Sequence, residues 1–497
     1  MLASGRIKWH ESADVVVVGL GAAGAVAAIT THDAGAQVLV LEKQPAASHV
    51  TTSHMSAGVF ISPNNVAEAA TYMEHLAKTS GGPPWTDNET NLAWAKYASE
   101  NVQWLEKLGA RVKLSNRGGE HNLPGQQSIE VYTFPGVGHG LMRFLKQQVE
   151  SRHITVRYET PARRLLTNTR GEVIGVRAES DGKEINVKAT RGVIMAPGGF
   201  EFNEEMKLNY LRVYPSYFVG SPANTGDGYR MVEEVGGTFW HMNCCSASWV
   251  IKTPDSPIGL GLNFRGSHGL EQWRRHAVTG NPCGYVIVDK YGKRYTSEEH
   301  KRHTLYYELA LFDSHKLEYP RVPSYWIFDR KRFDASPLPL PFDGAMLYNL
   351  IPWSNNNRAE LEKGWIIQGN TIEELAGKIK LDPPALKKTV ADYNSYCERK
   401  EDPEFHRPAR HLVPLTNPPF YAVTLWPGGP NTQGGPRRNG KAQVMNADGQ
   451  PIPRLYAAGE FGSVYGLLYP AGGGNIAECI AFGRIAGENA AKEKRIS

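Results

Sequence analysis

The sequence predicts an α/β fold in which a split, Rossmann-like dinucleotide-binding domain carries an inserted α+β domain. A strand, glycine turn, helix and strand follow one another in residues 14–42, and a similar strand, turn and helix occupy residues 455–491. Residues 274–416 differ from both, with more prolines, more aromatic residues and isolated helical patterns. We therefore expect residues 1–273 and 417–497 to form one domain, with residues 274–416 inserted into it.

Length and composition suit a soluble globular protein of two or three domains. The chain has 497 residues, of which 41% are hydrophobic and 21% are charged, and its net charge of +5 is small. Basic residues are scattered, and the one tight run, Lys492–Arg495, is interpreted as a solvated helix end rather than a nucleic-acid-binding patch. We therefore expect no nucleic-acid partner.

Cysteine usage and hydropathy bear on the cellular compartment. The five cysteines form no CxxC pair, which argues against a disulfide framework, a metal site and a haem site. Residues 1–13 lack the apolar segment of a secretory signal, and no run of about 18 apolar residues is present. The expected protein is cytoplasmic and has neither a metal nor a membrane span.

The first β-α-β unit contains the elements of a dinucleotide site. Asp14–Val18 is predicted as a buried strand, Ala22–Ala34 as an alanine-rich helix, and Gln37–Leu41 as a second strand that ends at Glu42. The turn between the first strand and the helix is GLGAAG, residues 19–24. A plain glycine-rich turn is the alternative, and this turn alone does not separate FAD from NAD.

Each part of this unit has a physical role in binding a dinucleotide. Gly19 allows the tight turn, Gly21 allows the backbone to approach a pyrophosphate, and Gly24 allows helix and strand to pack closely. The helix N-terminus supplies free N–H groups and a partial positive charge. Glu42, 18 residues after Gly24, places a carboxylate where it accepts hydrogen bonds from a ribose diol and repels a 2′-phosphate.

Hydrophobic patterns predict the remaining elements. A helical region runs from Val66 to Leu108, with Trp94 and Trp104 expected in its core. The others are strands within Thr155–Ala189 and at Gly192–Ala196, helices at Thr371–Ile379 and Pro384–Glu398, a strand at Leu455–Gly459 and a helix at Ile476–Ala491.

The last helix begins after a second glycine turn, Gly472-Gly473-Gly474-Asn475. A helix that starts in this way points its positive end at whatever lies before it. A flavin gains negative charge at its N1/O2 side on reduction, so such a helix end would stabilise the reduced form. An ordinary capped helix is the alternative.

Taken in this order, the motifs resemble the fumarate reductase/3-ketosteroid dehydrogenase flavoprotein superfamily over nearly the whole chain. The resemblance implies a split FAD-binding domain whose flavin is capped by the inserted catalytic domain. The matching segments are the N-terminal unit, Ser53–Gly58, Ala196–Phe200, Asn224–Gly228, Gly292–Tyr295, Ala457–Glu460 and Gly473–Gly487. The FAD-binding positions that it implies are Gly19, Gly21, Ala22, Ala23, Gly24, Glu42, Lys43, Ser53, Ser56, Ala57, Gly58, Ala162, Ala196, Pro197, Gly198, Asp227, Gly459, Glu460, Gly474, Asn475 and Ile476.

The resemblance also implies a proton donor. In these enzymes hydride moves at flavin N5 while a protein group handles the second proton. Arg302 matches the proton-delivering arginine of fumarate and urocanate reductases, whereas ketosteroid 1-dehydrogenases carry a tyrosine there. Because arginine stays protonated, it acts only within a relay, for which Glu298, Glu299 and His303 are candidates. An ion pair is the alternative role for Arg302.

A second catalytic segment resembles the Tyr-Pro-x-x-Gly of ketosteroid dehydrogenases, in which a tyrosine hydroxyl and a glycine N–H hold a ketone oxygen. Tyr469 and Gly473 fill those places. Ala471 stands where fumarate reductases carry a carboxylate-clamping arginine, and Asn431 stands where they carry a histidine. A simple packing role beside the flavin is the alternative for Tyr469.

Three residues are further candidates to contact the substrate. They are Asn431, Tyr132 and His139, the last on a glycine-flanked loop that matches a loop near the flavin in the family. For His139, simple solvation is the alternative.

The predicted protein is an FAD-dependent oxidoreductase that adds or removes hydrogen across a carbon–carbon bond next to a ketone. Loss of both cationic clamps disfavours fumarate. Arg302 favours reduction of an enone, whereas Tyr469 and Gly473 suit either direction. The alternatives are a reductase of an unsaturated carboxylate and, from another class, a flavin electron-transfer subunit. Because no haem or iron–sulfur motif is present, an external electron carrier is expected.

Overall fold

A computed structural model describes residues 7–78, 81–299 and 303–496 of the chain. Two compact units divide between residues 211 and 212, 219 and 220, 245 and 246, and 430 and 431. The second unit thus comprises residues 212–219 and 246–430, and the first comprises the rest. The predicted insert boundaries at residues 274 and 416 fall inside the second unit, because its sheet includes strands that begin before and end after them.

The described part of the chain contains the following elements. The strands are β1 (Glu11–Val18), β2 (Val38–Leu41), β3 (Val59–Ile61), β4 (Lys113–Arg117), β5 (Glu130–Thr133), β6 (Thr155–Arg157), β7 (Ala162–Thr167), β8 (Val173–Ser180), β9 (Lys183–Met195), β10 (Tyr217–Phe218), β11 (Phe239–Trp240), β12 (Cys245–Lys252), β13 (Gly259–Leu260), β14 (Tyr285–Val288), β15 (Ser324–Asp329), β16 (Ile367–Gly369), β17 (Phe420–Thr432), β18 (Gly435–Pro436), β19 (Gln443–Met445) and β20 (Pro451–Ala457). The helices are α1 (Ala22–Asp33), α2 (Thr52–Met55), α3 (Val66–Lys78), α4 (Asn88–Ala98), α5 (Asn101–Lys107), α6 (Val137–Ser151), α7 (Glu204–Tyr210), α8 (Asp227–Glu233), α9 (Leu270–Thr279), α10 (Leu305–Leu309), α11 (Arg330–Ala335), α12 (Gly344–Leu347), α13 (Arg358–Glu362), α14 (Ile372–Lys378), α15 (Pro383–Arg399) and α16 (Gly474–Lys492).

The first unit is built on an eight-stranded sheet with a parallel centre. Its order is β19-β20-β9-β1-β2-β6, and β8 and β7 extend from β9. The pairs β1–β2, β1–β9, β2–β6 and β9–β20 are parallel. The inner residues of β1 are buried without alternation, as expected for a parallel strand covered on both faces. The predicted β-α-β unit is confirmed.

Helices α1 and α16 pack closely because small residues face each other. A Cβ added at Gly483 would lie 2.9 Å from the Ala23 carbonyl oxygen, and one at Gly487 would lie 2.8 Å from that of Ala27. Helix α1 is buried almost all round, which explains its alanine-rich sequence. This packing joins the two glycine turns, since each turn lies at the N-terminus of one of these helices.

The second unit is built on a seven-stranded sheet of order β13-β12-β17-β15-β14, with β10 and β16 on β17. Strand β15 pairs antiparallel with both β14 and β17. Helices α14 and α15 cover this sheet with a core that includes Leu375, Leu386 and Val390. The two helices predicted in this region are confirmed.

Other predicted elements differ in detail. The helical region 66–108 consists of three helices, α3 to α5, rather than one. Trp94 is fully buried as expected, and Trp104 is partly buried against the same core. The strand expected at 192–196 is the end of a longer strand, β9. Within the described residues, no helix is long and apolar enough to cross a membrane, and no cluster of His, Cys, Asp and Glu suits a metal ion.

Candidate active site

The first glycine turn is fixed by backbone crowding. Gly19 has φ +95°, and a Cβ there would lie 2.4 Å from the Ala196 carbonyl oxygen. A Cβ at Gly24 would lie 2.0 Å from the Gly19 carbonyl oxygen. At Gly21, by contrast, the nearest atom to such a Cβ is Ser53 Oγ at 3.8 Å. The protein therefore needs Gly19 and Gly24 for its own packing and leaves open space above Gly21.

The start of α1 supplies backbone N–H groups beside Gly21. The first helical hydrogen bond of α1 runs from Ala25 N–H to the Gly21 carbonyl. The N–H groups of Ala23 and Gly24 come before it in the chain and therefore have no carbonyl partner within the helix. The N–H of Ala22 donates to Ser53 Oγ at 3.2 Å. The first turn holds no acidic side chain. These features suit an anion such as a pyrophosphate.

Glu42 ends β2 beside the same turn and is buried. Its carboxylate accepts hydrogen bonds from Leu20 N–H at 2.9 Å and Gln44 N–H at 2.8 Å. Burial opposes its ionisation, but His49 and these N–H groups outweigh that effect and lower the pKa of Glu42. Glu42 is thus an ionised acceptor with oxygen lone pairs to spare, as a ribose-binding group requires.

The neighbouring predicted cofactor residues also converge on the end of β2. Lys43 Nζ donates to Thr225 Oγ1 at 2.8 Å and forms an ion pair with Asp227, the first residue of α8. Thr160 N–H donates to the Glu42 carbonyl at 2.9 Å, which brings the start of β7 at Ala162 alongside.

The segment Ser53–Gly58 links the N-termini of α1 and α6. Ser56 Oγ donates to the Ser53 carbonyl at 2.9 Å, and Gly138 N–H donates to the Ser56 carbonyl at 3.0 Å. Ala57 and Gly58 follow, and Gly58, at φ +63°, has no room for a Cβ against Val137. His139 lies in the first turn of α6 with an exposed side chain, so the prediction of a loop at this position is wrong.

The ends of β9 and β20 bring further predicted residues to the turn. The Ala196 N–H donates to the Val18 carbonyl at 2.8 Å, which places Ala196, Pro197 and Gly198 beside Gly19. Gly459 has φ +77°, and a Cβ there would lie 2.7 Å from the Ala23 Cβ.

Glu460 belongs to a group of oxygen atoms that sequence reasoning missed. Glu201 Oε1 accepts from Thr432 N–H at 2.6 Å and from Thr432 Oγ1 at 2.8 Å. Thr432 Oγ1 lies 3.4 Å from Glu460 Oε1, and Asn224 Nδ2 lies 3.4 Å from Glu460 Oε2. Burial and the Glu201 carboxylate raise the pKa of Glu460 well above its usual range. The only available signal was that Glu201 follows the Ala196–Phe200 motif.

The second glycine turn is shaped by both steric and polar contacts. Gly473 has φ +91° and precedes α16, and a Cβ there would lie 2.7 Å from Phe60 Cα. Asn475 N–H donates to the Tyr469 hydroxyl at 2.8 Å. Burial raises the pKa of Tyr469, so its hydroxyl stays protonated at neutral pH. The structure thus brings Tyr469 and Gly473 together at the positive end of α16.

Two predicted substrate-binding residues lie near this helix end. Asn475 Nδ2 donates to Asn431 Oδ1, and Asn431 Nδ2 donates to the Thr432 carbonyl at 2.6 Å. The Tyr132 ring stacks on Phe60 at 5.9 Å, beside Gly473, and its hydroxyl donates to Glu130 at 2.8 Å. Gly474 and Ile476 form the buried first turn of α16.

Arg302 lies outside the residues that the structure describes. Two of its predicted relay partners, in the second unit, are held by other arginines. Glu298 accepts two hydrogen bonds of 2.9 Å from Arg294, and Glu299 accepts one of 3.0 Å from Arg265. Burial opposes ionisation of Glu299, but Arg265 and its other polar neighbours together outweigh burial and lower the pKa of this carboxyl.

The sequence is similar to those of known proteins over nearly its whole length. The family profile described as FAD binding domain matches residues 14–476. The chain is 29% identical to a probable fumarate reductase, Ifc3, of Shewanella frigidimarina, over 97% of this chain and 75% of that protein. It is 26% identical to 3-oxosteroid 1-dehydrogenase of Mycobacterium tuberculosis, over 95% of this chain and 97% of that protein.

A solved structure shows the same fold. It is that of 3-ketosteroid delta1-dehydrogenase from Sterolibacterium denitrificans in complex with 1,4-androstadiene-3,17-dione, with a TM-score of 0.82 and 23% identity. The match covers 97% of this chain and 99% of that one. The predicted split α/β fold is confirmed.

The residues of the first unit fit an FAD. The open space above Gly21 and the N–H groups at the start of α1 suit its pyrophosphate. Asn475 Oδ1 is buried and has no hydrogen-bond partner among the described residues, so it is available to a ligand donor near α16.

Proposed function

Because the chain belongs to the FAD-binding-domain family, and is an FAD-dependent oxidoreductase acting on CH–CH groups like its relatives, we propose that its substrate carries a ketone beside the reacting bond. The bound flavin supplies hydride transfer at N5. The protein must then hold the carbonyl oxygen, on which negative charge develops, and exchange a proton with the neighbouring carbon.

The observation that carries this proposal is the polar entrance to α16, where positions 431 and 471 hold no basic residue. Tyr469, whose hydroxyl accepts the Asn475 N–H, lies at the helix N-terminus, where the helix dipole favours negative charge on a nearby oxygen. Ala471 and Asn431 provide no cation beside it. A ketone oxygen needs hydrogen-bond donors, whereas a carboxylate substrate needs a buried positive charge.

We assign proton transfer to Arg302 because this residue matches the proton-delivering arginine of fumarate and urocanate reductases. The hydrogen bonds from Arg294 and Arg265 hold Glu298 and Glu299 in ion pairs, which disfavours them as proton carriers. His303 remains the relay partner that the proposal favours.

A titration of the purified protein against a panel of compounds tests the substrate class. The protein should be yellow and carry FAD without a covalent link. Cyclic ketones should bleach the flavin anaerobically, or enones should reoxidise the reduced flavin, whereas fumarate and other dicarboxylates should leave its spectrum unchanged. Rapid reoxidation by fumarate alone would contradict the proposal.

The fumarate reductase relative favours a second candidate, reduction of an unsaturated carboxylate through a rearranged clamp. The same panel separates the two candidates. Steady-state turnover of the purified chain with an artificial dye would distinguish both from a flavin electron-transfer subunit, which would show none. For both candidate activities, we expect electrons to pass through an external carrier.

A further inference from the structure

Three side-chain oxygens converge above Gly199, in the first unit. A Cβ built at Gly199 would lie 2.3 Å from Thr432 Oγ1, 2.4 Å from Glu460 Oε1 and 2.7 Å from Glu201 Oε1. Glycine is therefore required, because any side chain would displace this group. The convergence brings two carboxyl groups side by side, although their residues are far apart in the sequence.

The hydrogen-bond donors are shared unequally between the two carboxyl groups. Thr432 gives both its N–H and its hydroxyl to Glu201 Oε1, at 2.6 and 2.8 Å. A hydroxyl has one proton, so the 3.4 Å contact of Thr432 Oγ1 with Glu460 is not a second full hydrogen bond. Asn224 Nδ2 is closer to Thr52 Oγ1, at 3.1 Å, than to Glu460, at 3.4 Å. Glu201 therefore accepts the stronger hydrogen bonds of the two.

The surroundings of the pair do not neutralise a second negative charge. Within the described residues, the contacts of both carboxyl groups are with hydroxyl and amide groups rather than with lysine or arginine. Burial raises the pKa of both titratable neighbours, Tyr229 and Cys479, so both stay neutral. Glu201 and Glu460 add to this effect at Tyr229, and Glu478 and Glu460 add to it at Cys479. Arg438, which acts on Cys479, forms an ion pair with Glu478 and lies 3.5 Å from the Gly459 carbonyl oxygen.

We propose that Glu201 and Glu460 share a single proton, carried by Glu460, and that Glu201 is a positioning residue which keeps Glu460 a hydrogen-bond donor toward an oxygen of the bound FAD. Two adjacent carboxyl groups without a cation cannot both ionise at moderate cost. Glu460 follows Gly459, which packs on Ala23 in the first turn of α1, so its carboxyl group lies beside the dinucleotide site. A protonated carboxyl group both donates and accepts, whereas an ionised one only accepts.

This arrangement couples FAD affinity to pH. Loss of the shared proton replaces a donor by a second negative charge beside a cofactor that is itself an anion. Above the pH at which Glu460 ionises in the free protein, FAD binding must take up one proton, so Kd should rise about tenfold per pH unit. Below that pH, Kd should not depend on this pair.

The test is the Kd of FAD for the apoprotein, measured by flavin fluorescence between about pH 6 and pH 10. Glu460→Gln retains an amide donor and cannot titrate, so its Kd should lack the rise. Glu201→Gln removes the like charge, so Glu460 should ionise more readily and the rise should begin at least about one pH unit lower than in the parent. Glu488→Gln, a glutamate of α16 whose partner is Tyr97, is the matched control and should follow the parent profile.

An infrared measurement on the unaltered protein keeps the proposal testable if a variant fails to fold. The carbonyl band of a protonated carboxylic acid should persist at about pH 8.5, above the pKa of about 7 that burial gives to Glu478. The band should be absent in Glu460→Gln and present in Glu488→Gln. Absence of the band in the parent, or parent-like FAD profiles in both Glu201→Gln and Glu460→Gln, would overturn the proposal.

Discussion

The two glycine turns of the first unit differ in how far packing fixes them. At the first, Gly19 and Gly24 are required because backbone oxygens occupy the space of their side chains. At the second, Gly473 is required because a Cβ there would lie 2.7 Å from Phe60 Cα, but a Cβ at Gly472 would meet no atom within 4 Å, and hydrogen bonds among Tyr469, Asn475 and Asn431 shape the site. The second turn therefore combines one sterically fixed glycine with a hydrogen-bonded set of side chains, whereas the first depends on packing alone.

The largest effect should come from adding one methyl group at the first turn. Gly24→Ala places Cβ 2.0 Å from the Gly19 carbonyl oxygen, so α1 must move away from β1. We expect overpacking to cost about 1–3 kcal/mol of apoprotein stability, together with loss of FAD. Thermal unfolding and the flavin absorbance of the purified variant measure the two effects.

Gly21→Ala and Gly472→Ala each add a methyl group at an open position of one turn. Gly21 has room for Cβ in the protein itself, so its alanine variant should keep apoprotein stability and lose FAD affinity only. Gly472→Ala should leave both unchanged. Equal FAD affinity in Gly21→Ala and the parent would show that the pyrophosphate does not approach this turn.

Removing the proposed proton donor should affect chemistry and spare both turns. Arg302→Ala should lower turnover by roughly 100- to 10,000-fold, the range for general acid–base groups, with bound FAD unchanged. Arg302→Lys should not restore turnover fully, because lysine lacks the planar guanidinium. Near-parental turnover of Arg302→Ala would reassign this residue to an ion pair.

A buried contact between Arg438 and Glu478 links the second turn to the sheet and should make stability depend on pH. Arg438 contacts Glu478 of α16 and donates to the Ala457 carbonyl at 2.9 Å. Burial raises the pKa of Glu478 from about 4.5 to about 7, against the attraction of Arg438. The folded state therefore holds this proton more tightly than the unfolded state, so the stability from Glu478 falls as pH rises from about 4.5 to 7.

Glu478→Gln should remove that pH dependence, because an amide does not titrate. Since the amide resembles the protonated carboxyl group, the variant should lose none of the stability that the parent loses between about pH 4.5 and 7. Denaturant unfolding at several pH values measures this difference. An unchanged slope of stability against pH in this variant would contradict the assignment.

The sequence predicted best what depends on neighbours along the chain. The pattern of β1, α1 and β2 is local, and so are the glycine turns, because the steric demand of each glycine comes with the turn itself. The stretch from Tyr469 to Asn475 is also contiguous, so the start of the last helix followed from the motif, whereas the hydrogen bond from Asn475 N–H to the Tyr469 hydroxyl did not.

The sequence did not predict contacts between segments that lie far apart along the chain. Glu201, Thr432 and Glu460 meet only because the ends of three strands converge, and nothing near Glu201 indicates an acidic partner. The insert boundaries at 274 and 416 followed a change in composition, whereas sheet pairing extends the second unit to residues 246–430. His139 was expected in a loop because glycines flank it, yet those glycines serve the close packing of the N-terminus of α6.

The turnover of Tyr469→Phe on the best neutral ketone or enone of the parent tests the proposed carbonyl pocket at the second turn. The substitution removes one hydroxyl and keeps the ring. Tyr465→Phe is the matched control, since that buried tyrosine of the same loop donates to the Gly474 carbonyl instead. We predict about a 100-fold loss in kcat for Tyr469→Phe, because the hydrogen bond strengthens as charge develops on the oxygen, with bound FAD retained. Parental turnover of Tyr469→Phe, or robust turnover of fumarate by the parent, would contradict the claim.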